Sequence, residues 1–324
     1  MKFPGIPSGS PAQKRPPDLA KGRLAIFATV AIWSTPSLFM FYLNRYYDPY
    51  AQNLYRYSVA FLAVLPFVAW QFRRAGGPRL DRRLLLMCLV PALPNVVHQV
   101  TQVVSLFYMG PGVYAIFTRS SVIITAVLAL LFFPEERSVI RQWQFQAGTA
   151  LGLIGAVGVV LFQPGWEAGH VPLVGLGVAF LATFSWALYG VLVKGPATEL
   201  GSVRSFGIIS LFTSMMLVPL TLAFGDIATP ARVGWEVNAI LIISAVTCIS
   251  LAHVLYYIAI RELGVALSQT LQLLCPALAL GPSAWIFGEK LTAAQLWSAA
   301  LLLLGAFLAM RVKPAATVEA SEEI

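Results

Sequence analysis

The chain has 324 residues, 58% of them hydrophobic and only 11% charged, with a mean hydropathy of +0.76. An ordinary soluble domain carries about 25% charged residues, so this composition excludes one and describes an integral membrane protein. The net charge of +8 then concerns orientation in a bilayer rather than nucleic-acid binding.

Residues 1–23 are rich in Pro, Gly and Lys and lack the continuous apolar core of a cleaved signal peptide. They read as a solvated tail ahead of an uncleaved first span. Apolar windows then recur at 24–43, 50–72, 84–108, 112–133, 143–162, 171–193, 205–224, 237–260, 265–287 and 293–311, each near the roughly 20 residues a crossing helix needs. The spacing predicts an all-α membrane protein with ten transmembrane helices. A β-barrel would show shorter, alternating segments. Residues 313–324 form a second polar tail.

Several windows carry polar groups that lipid would not tolerate. The first has Trp33 near its middle, away from the interfaces where Trp concentrates. The third has Asn95, His98, Gln99 and Gln102 at i, i+3, i+4 and i+7, one stripe of an otherwise apolar helix. Either the stripe faces an interior cavity, or it supplies hydrogen bonds that hold helices together. The second and fourth each contain an arginine, Arg56 and Arg119. Arg119 lies seven residues past Gly112, about 10 Å along a helix. Every Asp and Glu falls in a tail, a loop or a helix end, so Arg119 must find carbonyls at a broken helix, the polar stripe, or an anionic group on a substrate. Arg56 divides between snorkelling or structural use and the cavity. In the fifth window Gly148, Gly152, Gly155 and Gly158 point to close helix packing, with no strand to support a nucleotide fingerprint. The sixth places Trp186 and Tyr189 one helical step apart. The eighth has Ser250, His253, Tyr256 and Tyr257, and the ninth Ser268, Gln269, Gln272 and Cys275. Pro36, Pro66, Pro91, Pro94, Pro276 and Pro282 interrupt windows and predict kinks, either hinges or fixed bends.

Cys88, Cys248 and Cys275 are odd in number and all lie inside windows, so no disulfide framework, metal site or cofactor is expected. With the N-terminus cytoplasmic, Lys and Arg collect in the inner segments, and the outer loops hold only Arg45, Arg232 and Lys290. The positive-inside rule therefore puts both termini in the cytoplasm.

The chain also repeats. The segment from Gly112, "GVYAIFTRSSVIITAVLALLFFPEERS", overlays the segment from Gly264, "GVALSQTLQLLCPALALGPSAWIFGEKLT", and "AIWSTPSLF" pairs with "TFSWALYGV", setting Trp33 opposite Trp186. Five spans per copy, an odd number, require two inverted five-helix repeats, 24–162 and 171–312. Secondary transporters are built this way, with substrate bound between the repeats.

"NLYRYSVAFLAVLPF", "GPGVYAIF" and "CPALALGPSAWIFGEKLTAAQLWSAALLLLGAFLAM" resemble the drug/metabolite transporter superfamily, specifically its ten-helix EamA-domain members. "FFPEERS" departs from that family's Gly-Glu turn, so the counterpart of Glu289 in the first copy stays open. The resemblance implies carriage of amino acids, nucleotide-related compounds or other small metabolites.

The reading of these residues is a secondary transporter in the cytoplasmic (inner) membrane that moves a small carboxylate-bearing metabolite, with a channel or a transmembrane signalling protein as the alternative. The histidines are scattered with no adjacent acid and no carboxylate pair exists, which argues against an enzyme. The partners expected are substrate and lipid, not nucleic acid; oligomeric state is left open. Candidate substrate-binding residues are Arg119, Asn95, His98, Gln99, Gln102, Trp33, Trp186, Tyr189, His253, Tyr257, Gln269 and Gln272. Without a membrane-buried carboxylate, movement is either facilitated or coupled to protons through His98 or His253.

Overall fold

A computed structural model describes residues 17–74, 80–109, 111–165, 169, 171–280 and 291–313. Glu289, Lys290, Pro282 and His170 lie outside the described residues, as do most of the two tails.

The described residues form helices joined by short turns, with no strand among them, as lipid requires of a chain whose backbone must satisfy its own hydrogen bonds. In chain order the helices are α1 (Leu19–Trp33), α2 (Pro36–Leu43), α3 (Pro49–Arg73), α4 (Arg82–Ser105), α5 (Pro111–Arg119), α6 (Ser121–Phe132), α7 (Glu136–Ile140) and α8 (Trp143–Leu161). They continue with α9 (Leu173–Leu192), α10 (Lys194–Leu200), α11 (Ser202–Phe224), α12 (Thr229–Arg232), α13 (Trp235–Ser244), α14 (Ala252–Leu263), α15 (Val265–Leu271) and α16 (Ala293–Ala309). Six helical stretches are long and apolar enough to cross a membrane: 82–105, 113–132, 143–161, 173–200, 202–224 and 235–263. The outward faces of these and the other long helices carry Leu62, Phe67, Leu131, Ile154, Phe180, Leu222 and Leu303, all exposed.

Helix starts follow local chemistry. The Asp48 side chain accepts from the Tyr50 and Ala51 amides, with Pro49 in the first turn, where its missing N–H costs nothing. Asp81 accepts from the Leu84 amide, and Thr292 and Gln295 form a reciprocal capping box.

Four windows differ from unbroken helices. The first divides at Ser34 and Thr35, because Pro36 has no N–H to continue the ladder and instead opens α2. The fourth breaks at Ser120, whose amide reaches back only three residues, to the Phe117 carbonyl at 3.0 Å. In the ninth, α15 passes through a 3₁₀ turn at Gln272–Leu274 before the helix continues to Leu280. Ser120 and Gln272 stand eight residues after Gly112 and Gly264 respectively, so the two breaks fall at matching places in the overlay. Between α13 and α14 the helix widens to a π-helix over Ala245–Leu251. Pro66, Pro91 and Pro94 are accommodated inside α3 and α4.

The main packing partners are α8 with α16, α4 with α9, α3 with α11, and α1 with α14. Glycine makes the first pair possible. A methyl on Gly155 would come within 2.6 Å of the Leu302 amide and the Ser298 carbonyl, and one on Gly305 within 2.6 Å of the Gly152 amide. The glycine run of the fifth window is thus a helix-packing surface, in line with association of membrane helices through small residues.

At the end where α6 and α9 finish, Glu136 is buried, 2% exposed. Its carboxylate accepts from the Val265 and Ala266 amides at 2.8 and 3.3 Å and pairs with Lys194 Nζ at 2.7 Å. Gly264, with φ of +88°, gives the chain the left-handed turn that presents those amides. At the opposite end Asp48 also accepts from the Asp226 amide at 2.9 Å, and Tyr55 donates to the Ile227 carbonyl at 2.5 Å.

Candidate substrate site

The polar residues of nine helices converge in the interior. At the centre is a set of aromatic rings. Trp33 from α1 lies edge-on to Trp186 from α9, ring centres 5.3 Å apart. His253 from α14 is 5.2 Å from Trp33, 6.1 Å from Tyr189 and 5.5 Å from Phe206, which stacks on it. His98 from α4 reaches Trp186 at 4.9 Å, and Tyr256 stacks on Trp186 at 6.0 Å. Tyr189 and Tyr257 share a hydroxyl–hydroxyl bond of 2.6 Å. Trp33 and Trp186 are half-buried, whereas Tyr57, Tyr189, Tyr256 and Tyr257 are fully buried. Edge-on and offset rings of this kind form a rigid apolar wall with polar tips.

The π-helix contributes backbone. Trp33 Nε1 donates to the Cys248 carbonyl at 3.0 Å, and His253 Nδ1 donates to the Ile249 carbonyl at 2.8 Å. A π segment departs from the α-helical register, and such departures gather at functional sites.

Two polar branches leave the ring cluster. On one side Tyr57 is the hub: its hydroxyl donates to Asn95 Oδ1 at 3.1 Å and accepts from Gln99 Nε2 at 2.9 Å. Asn95 then donates to Thr213 at 3.1 Å, and Gln102 donates to Gln99 Oε1 at 3.0 Å. His98 Nδ1 donates to the Ala182 carbonyl at 2.9 Å. Asn95, His98 and Gln99 therefore hold α4 to its neighbours, the gluing role weighed for the stripe, while half-buried Gln102 ends the chain of bonds.

On the other side Tyr256 donates to Gln269 Oε1 at 2.8 Å, Gln269 donates to Ser121 at 3.1 Å, and Gln272 donates to Gln269 Oε1 at 2.9 Å. Arg119, half-buried at the end of α5, closes this branch. Its NH1 donates to the Gln272 carbonyl at 3.2 Å and its Nε to the Ala115 carbonyl at 3.4 Å. The carbonyl of a broken helix is thus one partner of Arg119, which makes no ion pair among the described residues.

Arg56 does not snorkel. It is 3% exposed, with Nε donating to the Ser244 hydroxyl at 3.1 Å.

Trp33, Trp186, Tyr189, Tyr257, His98 and His253 meet in the ring cluster, and Asn95, Gln99, Gln102, Gln269, Gln272 and Arg119 lie on its branches. Tyr57, Tyr256, Phe206 and Thr213 belong to the same assembly. Tyr57 could have been found from Asn53, Arg56 and Tyr57 at i, i+3 and i+4, and Tyr256 from its own polar stripe. Phe206 is one apolar residue among many and left no signal. The described residues hold no cluster of metal-ligating side chains.

Comparison with known proteins agrees with this architecture. The chain is 25% identical over 214 residues to a probable amino-acid metabolite efflux pump of Salmonella typhimurium (strain LT2), covering 62% of this chain and 68% of that one. A solved crystal structure of another protein superposes with a TM-score of 0.74 at 18% identity, covering 94% of this chain and 98% of the other. It shares the fold. The EamA-like transporter family matches twice, over residues 20–161 and 173–311. With nearly the whole chain matched in two copies, this integral membrane protein belongs to the EamA-like transporter family.

Proposed function

We propose that the protein is a secondary carrier that moves a small, carboxylate-bearing metabolite across the cytoplasmic membrane by alternating access. The observation that carries the reading is the interior cluster itself: its rings and amides come from both family repeats and converge on one place. Such a position between repeats is where carriers bind substrate. The likeness to a probable amino-acid metabolite efflux pump supports export of an amino-acid-like compound.

Ten spans in two inverted repeats, 24–162 and 171–312, belong to the same proposal. Three observations support it. The helix breaks at Ser120 and Gln272 match in the overlay. Trp33 and Trp186, paired in sequence, touch in space. The packing partners also exchange consistently under a twofold operation: α3 with α11 and α8 with α16 map onto themselves, and α1 with α14 maps onto α9 with α4. Both termini are cytoplasmic in this reading, because the opposite orientation would violate the positive-inside rule at almost every loop. His98 and His253 are the interior groups able to take up a proton. An imposed pH step across vesicles holding the His98→Ala, His253→Ala variant separates proton coupling from facilitated movement.

Arg119 is proposed to neutralise the substrate's anionic group. One nitrogen is tied to the Gln272 carbonyl, but among the described residues no carboxylate side chain pairs with it to compete for the charge. Arg119→Ala should weaken substrate binding about ten-fold or more while the protein stays inserted and monodisperse. Arg119→Lys should restore the charge without the two-pronged geometry. A stable Arg119→Ala protein that transports with unchanged apparent affinity would refute this role, and one that fails to fold would assign Arg119 to the fold.

A further inference from the structure

Arg56 is the charged side chain that neither the fold nor Arg119's role accounts for. It sits in α3 beside the hub Tyr57 and is almost wholly buried. Its single hydrogen bond among the described residues is to an uncharged hydroxyl, that of Ser244, just before the π-helix. Its two terminal nitrogens have no hydrogen-bond or ion-pair partner among the described residues. A guanidinium is always charged and offers five donors, so one bond leaves most of its capacity unused.

His253 is its complement. Nδ1 faces the Ile249 carbonyl, which can only accept, so Nδ1 carries the proton and Nε2 of the neutral ring is left as an acceptor. That Nε2 is buried and has no partner among the described residues. The Tyr57 ring, next to Arg56 in the chain, lies 6.5 Å from the imidazole, and Ser244, the partner of Arg56, directly precedes the π-helix whose Ile249 carbonyl holds His253. One unused donor fork and one unused acceptor therefore share the interior, beside the aromatic wall.

We infer that Arg56 and His253 together read one polar end of the carried molecule, the guanidinium taking its anionic group and His253 Nε2 taking an N–H or O–H donor beside that group. The matching chemistry is a carboxylate with an amino or hydroxyl substituent nearby. A carboxylate flanked by a bare carbonyl would face Nε2 with a second acceptor, and a carboxamide would leave Arg56 without its counter-charge. This inference rests on the carrier reading and makes Arg56 a second cation for the anionic group proposed to meet Arg119.

The test is a ligand matrix on the purified full-length protein, read by thermal shift, since a ligand of the folded state raises its stability. The probes are aliphatic and aromatic 2-amino acids, each with the 2-hydroxy acid, 2-oxo acid and amino-acid amide of the same skeleton. At least one amino or hydroxy acid should bind, and its oxo acid and amide should bind about ten-fold more weakly or worse. Arg56→Gln should reduce the preference for acid over amide by about three-fold or more, Arg56→Lys should reduce it less, and His253→Phe should erase the preference for amino or hydroxy acid over oxo acid. Equal binding across all four members of a set in the wild type overturns the inference, and so does a folded Arg56→Gln protein that prefers acid to amide as strongly as the wild type. The wild-type matrix decides if Arg56→Gln does not fold. A flat matrix combined with acid binding that is lost in Arg119→Ala removes this inference and leaves the carrier reading standing; absence of any acid binding removes both.

Discussion

Glu136→Ala is the substitution with the largest effect on stability that the fold predicts. The carboxylate lies 2.7 Å from Lys194 Nζ and accepts the first two amides of α15, joining residues of the first family repeat to two elements of the second. Both side chains are shielded, Glu136 at 3% and Lys194 at 16% exposure. Removing one member of a buried pair costs about 3–5 kcal/mol, because the other charge is stranded. Here Lys194 keeps Glu135 at 3.2 Å, which pulls the figure to the low end. The lost cap on two buried amides adds about 1 kcal/mol, so a total near 3–4 kcal/mol is expected. At roughly 2 °C per kcal/mol for a chain of this size, the apparent Tm in detergent should fall by about 6–8 °C. Glu136→Gln keeps an acceptor for one amide and should fall by about half as much. The assay is thermal unfolding followed by size-exclusion monodispersity, with Lys194→Met added to both variants to separate the stranded charge from the lost cap. An Ala variant that melts within about 1 °C of the wild type would refute the reasoning.

Gly155→Val should destabilise the protein by about 1–3 kcal/mol, seen as a lower apparent Tm, because the new carbons meet the backbone of α16 rather than a side chain that can turn away. In a background without the native cysteines, single cysteines at Leu80 and Gln163, both exposed, should label from opposite faces of the membrane; labelling of both from one face would contradict the ten-span topology.

Much of this protein was legible in its residues, for a physical reason: a bilayer demands apolar runs of a set length, and those runs need no knowledge of what they pack against. The cluster was partly legible for the same reason. Polar groups such as Gln99 or His253 inside a span are expensive, so they must face inward, and they do. What they bond to was not legible, because Asn95 meets Thr213 and Gln269 meets Ser121 through contacts more than a hundred residues apart in sequence. The break at Pro36 follows from its missing N–H and could have been drawn into the first window. The π-helix at Ala245–Leu251 could not, since nothing in "AVTCISL" opposes an ordinary α-helix and the register depends on neighbours such as Trp33. Glu136 is one of two adjacent acids in "FFPEERS", and its partners, the Lys194 ammonium and the amides after Gly264, appear only once the two repeats are packed together.

The most direct test of the central claim is trans-stimulation in reconstituted vesicles, using the acid that binds most tightly in the ligand matrix. A carrier that alternates around one interior site must return its empty site to the loading side, so unlabelled acid on the far side should speed entry of the labelled acid, and entry should saturate. Flux that neither saturates nor responds to acid on the far side would contradict alternating access and favour a channel.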